Sequence, residues 1–112
     1  MPSRDWRLRI SDILECIDKI DRYTEGMSFE DFAADERTVD AVLRRIEIIG
    51  EATRYVPGEA TDRFPDIPWE KMRGMRNVVV HEYFGVSLRI IWRTIKTQLP
   101  PLVEPLQRVL SS

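Results

Sequence analysis

The sequence has one histidine, His81, and it lies five residues after Arg76 in the run Arg73-Gly74-Met75-Arg76-Asn77-Val78-Val79-Val80-His81-Glu82-Tyr83-Phe84. Histidine has the unperturbed pKa nearest neutrality, which suits it to moving protons in a reaction. Arginine's planar fork binds phosphate oxygens and offsets charge that builds up in a transition state. Asn77 can hydrogen-bond a phosphate oxygen or hold an imidazole in place. These groups suit RNA cleavage without a metal. The ribose 2′-hydroxyl is already a nucleophile beside the scissile phosphate, so the protein need supply only proton transfer and positive charge. Other chemistries find less support. His81 and Cys16 do not make a zinc ligand set. No Walker or Rossmann glycine loop is present, and no serine sits in a nucleophile elbow.

At about 100° per residue, a helix through this run puts Asn77 and His81 one turn apart on one shoulder. Arg73 and Arg76 take the middle and the other shoulder, and Tyr83 falls almost in line with Arg76 two turns on. Arg76 and His81 then flank one polar face, and the same helix of a second copy could set another Arg/His pair opposite the first.

The elements that must hold this run read as helices. Trp6, Ile10, Ile13, Leu14, Ile17 and Ile20 recur at three- and four-residue spacing, predicting a helix from about Asp5 to Thr24 that stops at Gly26. Ser28-Phe29-Glu30-Asp31 has the pattern of a cap opening a short turn or helix. A long helix is expected from about Asp35 to just before Pro57-Gly58, with Val39, Val42, Leu43, Ile46, Ile49 and Val56 on one face. Ala41, Ile48, Ala52 and Tyr55 make a second stripe, to be covered by another helix or another subunit. Gly50 permits close backbone approach on whichever side it faces.

Residues 57–68 read as a loop with one turn around Ala60–Arg63. Pro68 suits the first position of a third helix, which is expected to run through Trp69, Met72, Met75 and Val79 to about Phe84 and end at Gly85. Ser87 caps a fourth, carrying Leu88, Ile91, Trp92, Ile95 and Leu99. Pro100-Pro101 is expected to break or sharply kink it, with a short terminal helix carrying Leu102, Val103, Leu106 and Leu110. The expected architecture is all-α: a single domain over residues 1–112, an antiparallel bundle of four main helices with short extras.

Charge is unevenly spread. Residues 1–70 carry 10 Lys/Arg and 17 Asp/Glu, whereas residues 71–112 carry 7 and 2. The C-terminal part therefore suits either a polyanion or an acidic partner surface. No apolar run of about 18 residues is present to span a membrane. The N-terminus lacks a signal-peptide stretch, and a lone Cys16 forms no intrachain disulfide; the expected location is cytoplasmic.

The ordered segments Ile49-Gly50-Glu51-Ala52, Phe64-Pro65-Asp66-Ile67-Pro68-Trp69, Gly74-Met75-Arg76-Asn77, His81-Glu82-Tyr83-Phe84 and Leu99-Pro100 resemble those of HepT-like proteins, a branch of the HEPN superfamily. The resemblance spans nearly the whole chain, and Arg76 to Tyr83 matches the family's R-x4-H-x-Y motif. It implies a dimerising helical bundle with metal-independent endoribonuclease activity and no cofactor. Arg76 and His81 are then the active-site pair and Asn77 their polar neighbour. It also implies a toxin–antitoxin system of the HEPN/MNT, type VII-like kind, in which a minimal nucleotidyltransferase antitoxin transfers AMP to the motif tyrosine, here Tyr83. Bulk and negative charge added there would block an anion-binding cleft.

Glu51 carries a further expectation. A carboxylate beside Gly50 on a doubly buried helix needs a partner. Arg76 or Arg73 would make it an orienting residue of the site; the alternatives are solvent, Arg54 or Arg45. For the chain as a whole, two other readings use the same residues: a non-catalytic helical dimer that binds nucleic acid or recruits the transferase, and a nucleotide-binding regulatory subunit of that transferase.

Overall fold

The computed structural model describes residues 5–77 and 87–112, and every regular element among them is helical. Helix α1, Trp6–Tyr23, opens where the Asp5 carboxylate accepts from the Arg7 N–H at 2.9 Å. That contact satisfies one donor that the first helical turn leaves free. Its stripe Ile10, Ile13, Cys16, Ile17 and Ile20 is buried. The chain turns at Gly26, whose φ of 75° is the left-handed conformation expected of a helix stop. Helix α2, Phe29–Ala34, begins with a reciprocal cap in which Asp31 N–H donates to Ser28 Oγ and Ser28 N–H to Asp31 Oδ2, both at 3.1 Å.

Helix α3, Glu36–Arg54, starts from Asp35, whose carboxylate accepts from Thr38 N–H at 3.1 Å. Its first stripe, Val39 to Val56, is buried as expected. Arg9 lies beside Tyr55, while Arg45 reaches Cys16 and Tyr23, so α1 and α3 run antiparallel as the central pair. Burial pushes the Cys16 thiol above its ordinary range, opposed in part by Arg45; it is a packing residue rather than a nucleophile. The second stripe of α3 is covered within the chain over most of its length. Ala52 is buried, Ala41 and Ile48 half-buried, and Tyr55 exposed.

Helix α4, Gly58–Arg63, is the single turn expected in the proline-rich connection. Trp69 anchors the next segment by donating Nε1–H to the Phe64 carbonyl at 3.0 Å. The third main helix differs from expectation. Pro68 precedes it rather than occupying its first position, and α5 covers only Trp69–Arg73. Gly74 forms a turn before residues 75–77 resume helical geometry, with Asn77 N–H bonding the Gly74 carbonyl three residues back. Val79, His81, Tyr83, Phe84 and Gly85, which carry the rest of that expected helix, lie outside the described residues.

Ser87 caps α6, Leu88–Arg93, through Arg89 N–H at 3.0 Å. The proline pair acts more gently than expected. A wider turn at Thr94–Gln98, closed by Leu99 N–H to the Thr94 carbonyl, precedes a tight turn at Pro100–Leu102. Leu99, Leu102 and Val103 all keep right-handed helical dihedrals, so the chain passes into α7, Val103–Ser111, by changing hydrogen-bond spacing rather than by breaking. One buried cluster draws side chains from every described helix, with Phe32, Ile46, Met72, Ile91 and Leu106 among its fully enclosed members. None of the described helices is long and apolar enough to cross a membrane.

Candidate active site

Gly50 is the point at which the scaffold receives the motif. It is buried on α3, and a Cβ built there would lie 2.8 Å from the Arg76 main-chain nitrogen, 3.2 Å from Arg76 Cβ and 3.3 Å from the Arg73 carbonyl oxygen. No side chain fits at the first of these distances, so the start of the motif rests directly on the α3 backbone. Met72 and Met75, both buried, hold the segment down on either side of Gly74.

One residue past this contact, Glu51 meets Arg76. Arg76 NH1 donates to Glu51 Oε2 at 3.4 Å, and Arg54 NH1 approaches the same oxygen at 3.5 Å. The expected orienting contact is therefore present together with one of its alternatives. Each of the three side chains is about half exposed, so the contacts are wet and individually weak, in the range of about 0–1 kcal/mol. Their value lies in direction. A long, flexible guanidinium is held at one end of the α1–α3 pair with most of its donors unused among the described residues.

The other expected residues fall as follows. Asn77 is exposed immediately after Arg76. Arg73 brings its carbonyl close to Gly50 and also borders a surface depression with Lys71, Asp62 and Glu70. His81 and Tyr83 lie outside the described residues. Arg54 is the residue that sequence reading undervalued. Its spacing of three from Glu51 was visible, but only as a competitor of Arg76 rather than its companion.

Comparison with known proteins gives the family of the chain. Residues 13–109 match the family model described as ribonuclease HepT-like. A protein from Thermococcus cleftensis named probable ribonuclease HepT is 43% identical over 93 residues, covering 83% of this chain and 84% of its own length. Relatives from Caldanaerobacter subterraneus and Methanocaldococcus jannaschii carry RNase in their names. The first is 43% identical over 86% of this chain and 85% of its own. The second is 34% identical over 98% and 91%. No solved structure matches.

Proposed function

The chain belongs to the HepT-like ribonuclease family, and from that premise we propose that it is a metal-independent endoribonuclease with Arg76 and His81 as its catalytic pair. The observation that carries the reading is the seating of Arg76: its backbone against Gly50 and its guanidinium steered by Glu51. A cation whose backbone is seated and whose guanidinium is biased toward one carboxylate keeps a narrower range of places for a phosphate than a freely rotating surface arginine.

In the proposed reaction the 2′-oxygen of the substrate ribose attacks the adjacent phosphorus and the bond from phosphorus to the 5′-oxygen breaks. One proton leaves the 2′-hydroxyl and one arrives on the departing 5′-oxygen; His81 serves this transfer. Arg76 offsets the extra negative charge on the five-coordinate phosphorus, and Asn77 donates to a phosphate oxygen or to the imidazole. The products are a 2′,3′-cyclic phosphate and a 5′-hydroxyl. Glu51 acts through Arg76 and is a positioning residue; Arg73 adds positive charge nearby. Residues 1–112 form one domain of this type, paired as a homodimer whose two motif segments share a cleft.

The biological reading is a toxin restrained by a nucleotidyltransferase antitoxin that adenylylates Tyr83, in the cytoplasm. What supports it is the match of Arg76 to Tyr83 with the family motif.

The test is cleavage of an RNA by the purified protein in excess EDTA. His81→Ala should abolish cleavage with helical circular dichroism intact, and a 2′-deoxy residue at the cut should stop it. Activity that vanishes with chelation and returns with Mg²⁺, or cleavage of DNA, would overturn the mechanism. For the partner, Tyr83→Phe should keep RNase activity yet escape neutralisation on co-expression; neutralisation equal to wild type would assign inhibition to binding alone.

A further inference from the structure

Arg54 meets the site although neither the motif nor the cleavage chemistry calls for it. It closes α3, three residues after Glu51, and shares Oε2 of that carboxylate with Arg76. A single oxygen between two NH1 atoms keeps those nitrogens within twice a contact distance of each other. At 3.4 and 3.5 Å both contacts are longer than the roughly 2.7–2.9 Å of a tight charge-assisted bond. Among the described residues each guanidinium therefore spends one donor loosely and keeps its remaining donors for another acceptor.

The charges favour an anion there. Among the described residues, two guanidinium charges less one carboxylate leave about one positive charge, which exceeds the roughly half negative charge at the C-terminus of α3. The basic border continues past Arg54. Arg9 lays its guanidinium 4.6 Å over the exposed ring of Tyr55, and its Nε is buried with no hydrogen-bond partner among the described residues. Arg76, Arg54 and Arg9 thus gather around one end of the helix pair, on a face otherwise supplied by the acid-rich half of the sequence.

We infer that Arg54 is a substrate-positioning residue that binds the RNA backbone phosphate next to the scissile one, with Glu51 setting its spacing from Arg76. The inference rests on the ribonuclease reading of the Arg76 site. Planar forks tied to a common oxygen suit successive phosphates of a single strand, since each can grip one in a bidentate manner.

The test measures binding of a single-stranded oligoribonucleotide carrying 2′-O-methyl groups, which cannot be cut, across a salt series, alongside steady-state cleavage of the unmodified strand. Arg54→Ala should raise KM about five- to tenfold with kcat within about twofold. It should also flatten the slope of log affinity against log salt by about 0.7, the loss of one phosphate contact. Arg54→Lys should restore the slope but only part of the affinity. Arg22→Ala, which removes an exposed arginine bridged to Asp18 near the other end of α1, should change neither. An unaltered slope and KM in Arg54→Ala would overturn the inference, as would a fall in kcat alone, which would mean that Arg54 acts through Arg76. Failure of the wild type to cleave any RNA would remove the nuclease reading, while the salt slope would still decide whether Arg54 holds a phosphate.

Discussion

The central helix pair and the segment laid against it are built on different terms. Helices α1 and α3 are long, carry side-chain caps at their starts, and bury unbroken stripes of Ile, Val and Leu. Residues 57–77 hold α4 and α5, of six and five residues and without a side-chain cap, then helical residues 75–77, and are punctuated by Pro57, Pro65, Pro68 and Gly74. The pair could be recognised as structure from its periodicity alone, whereas the segment is shaped by what it rests on. Rigidity in one region thus permits irregularity in the other: Arg76, beyond the end of α5, is seated against Gly50 and Glu51 of α3.

Changes to the pair should cost stability, and changes to the segment should cost activity. Ile46 is fully buried on α3, so Ile46→Ala should destabilise the fold by about 2–5 kcal/mol in denaturant titration. Turnover of the folded fraction should stay near wild type; a selective loss of kcat would blur the division. Arg76→Ala should do the reverse, lowering kcat about 10²–10³-fold with little change in the unfolding midpoint, as expected when a transition-state donor is removed. A midpoint that falls by several degrees would make Arg76 structural.

Gly50→Ala tests the boundary between the two. Better helix propensity favours it by about 1 kcal/mol, but the added carbon meets the Arg76 backbone, and overpacking costs about 1–3 kcal/mol. We expect a net loss of about 0–2 kcal/mol of stability with kcat reduced about tenfold, because the segment gives way before the pair does. Equal loss of both would show that the two regions move as one.

The smallest effect concerns Asp35. Hydrogen bonds from Thr38, first its backbone N–H, hold the Asp35 carboxyl below its ordinary value. A depressed folded-state pKa gives stability that is present above the unfolded value and lost as pH falls through the folded one. Asp35→Ala should therefore lower the melting temperature slightly at neutral pH, with the gap to wild type closing at strongly acid pH. A gap that persists there would assign the effect to helix propensity.

Local signals were readable along the chain: the α1 and α3 stripes, the Gly26 stop, the Ser28–Asp31 cap and the Asp35 start each depend on residues within a few positions. The Gly74 turn was not readable, because glycine inside an apolar rhythm looks the same in a continuous helix and in an interrupted one. Passage through Pro100-Pro101 was misjudged because residue identity records the missing donors but not the spacing by which neighbouring bonds adapt. At the site, Glu51 beside Gly50 raised a contact with Arg76 or Arg73 against solvent, Arg54 or Arg45. That Arg54 would share the same oxygen depends on side-chain directions at a helix end, which sequence spacing does not specify. His81 stood out by its type and its spacing from Arg76, whereas the role of Tyr83 as a modified residue came only from the family motif.

The proline pair also divides the last third of the chain in time. Pro100 and Pro101 carry no amide hydrogen, and the Leu99 N–H is engaged with Thr94, so the Lys96 and Thr97 carbonyls have no helical donor above them and turn to water. A hydrogen-bond ladder missing rungs at one place opens there first. Amide exchange should therefore resolve α6 and α7 into two blocks of protection, with α7, buried through Leu106 and Val109 against α1, exchanging on a clock of its own.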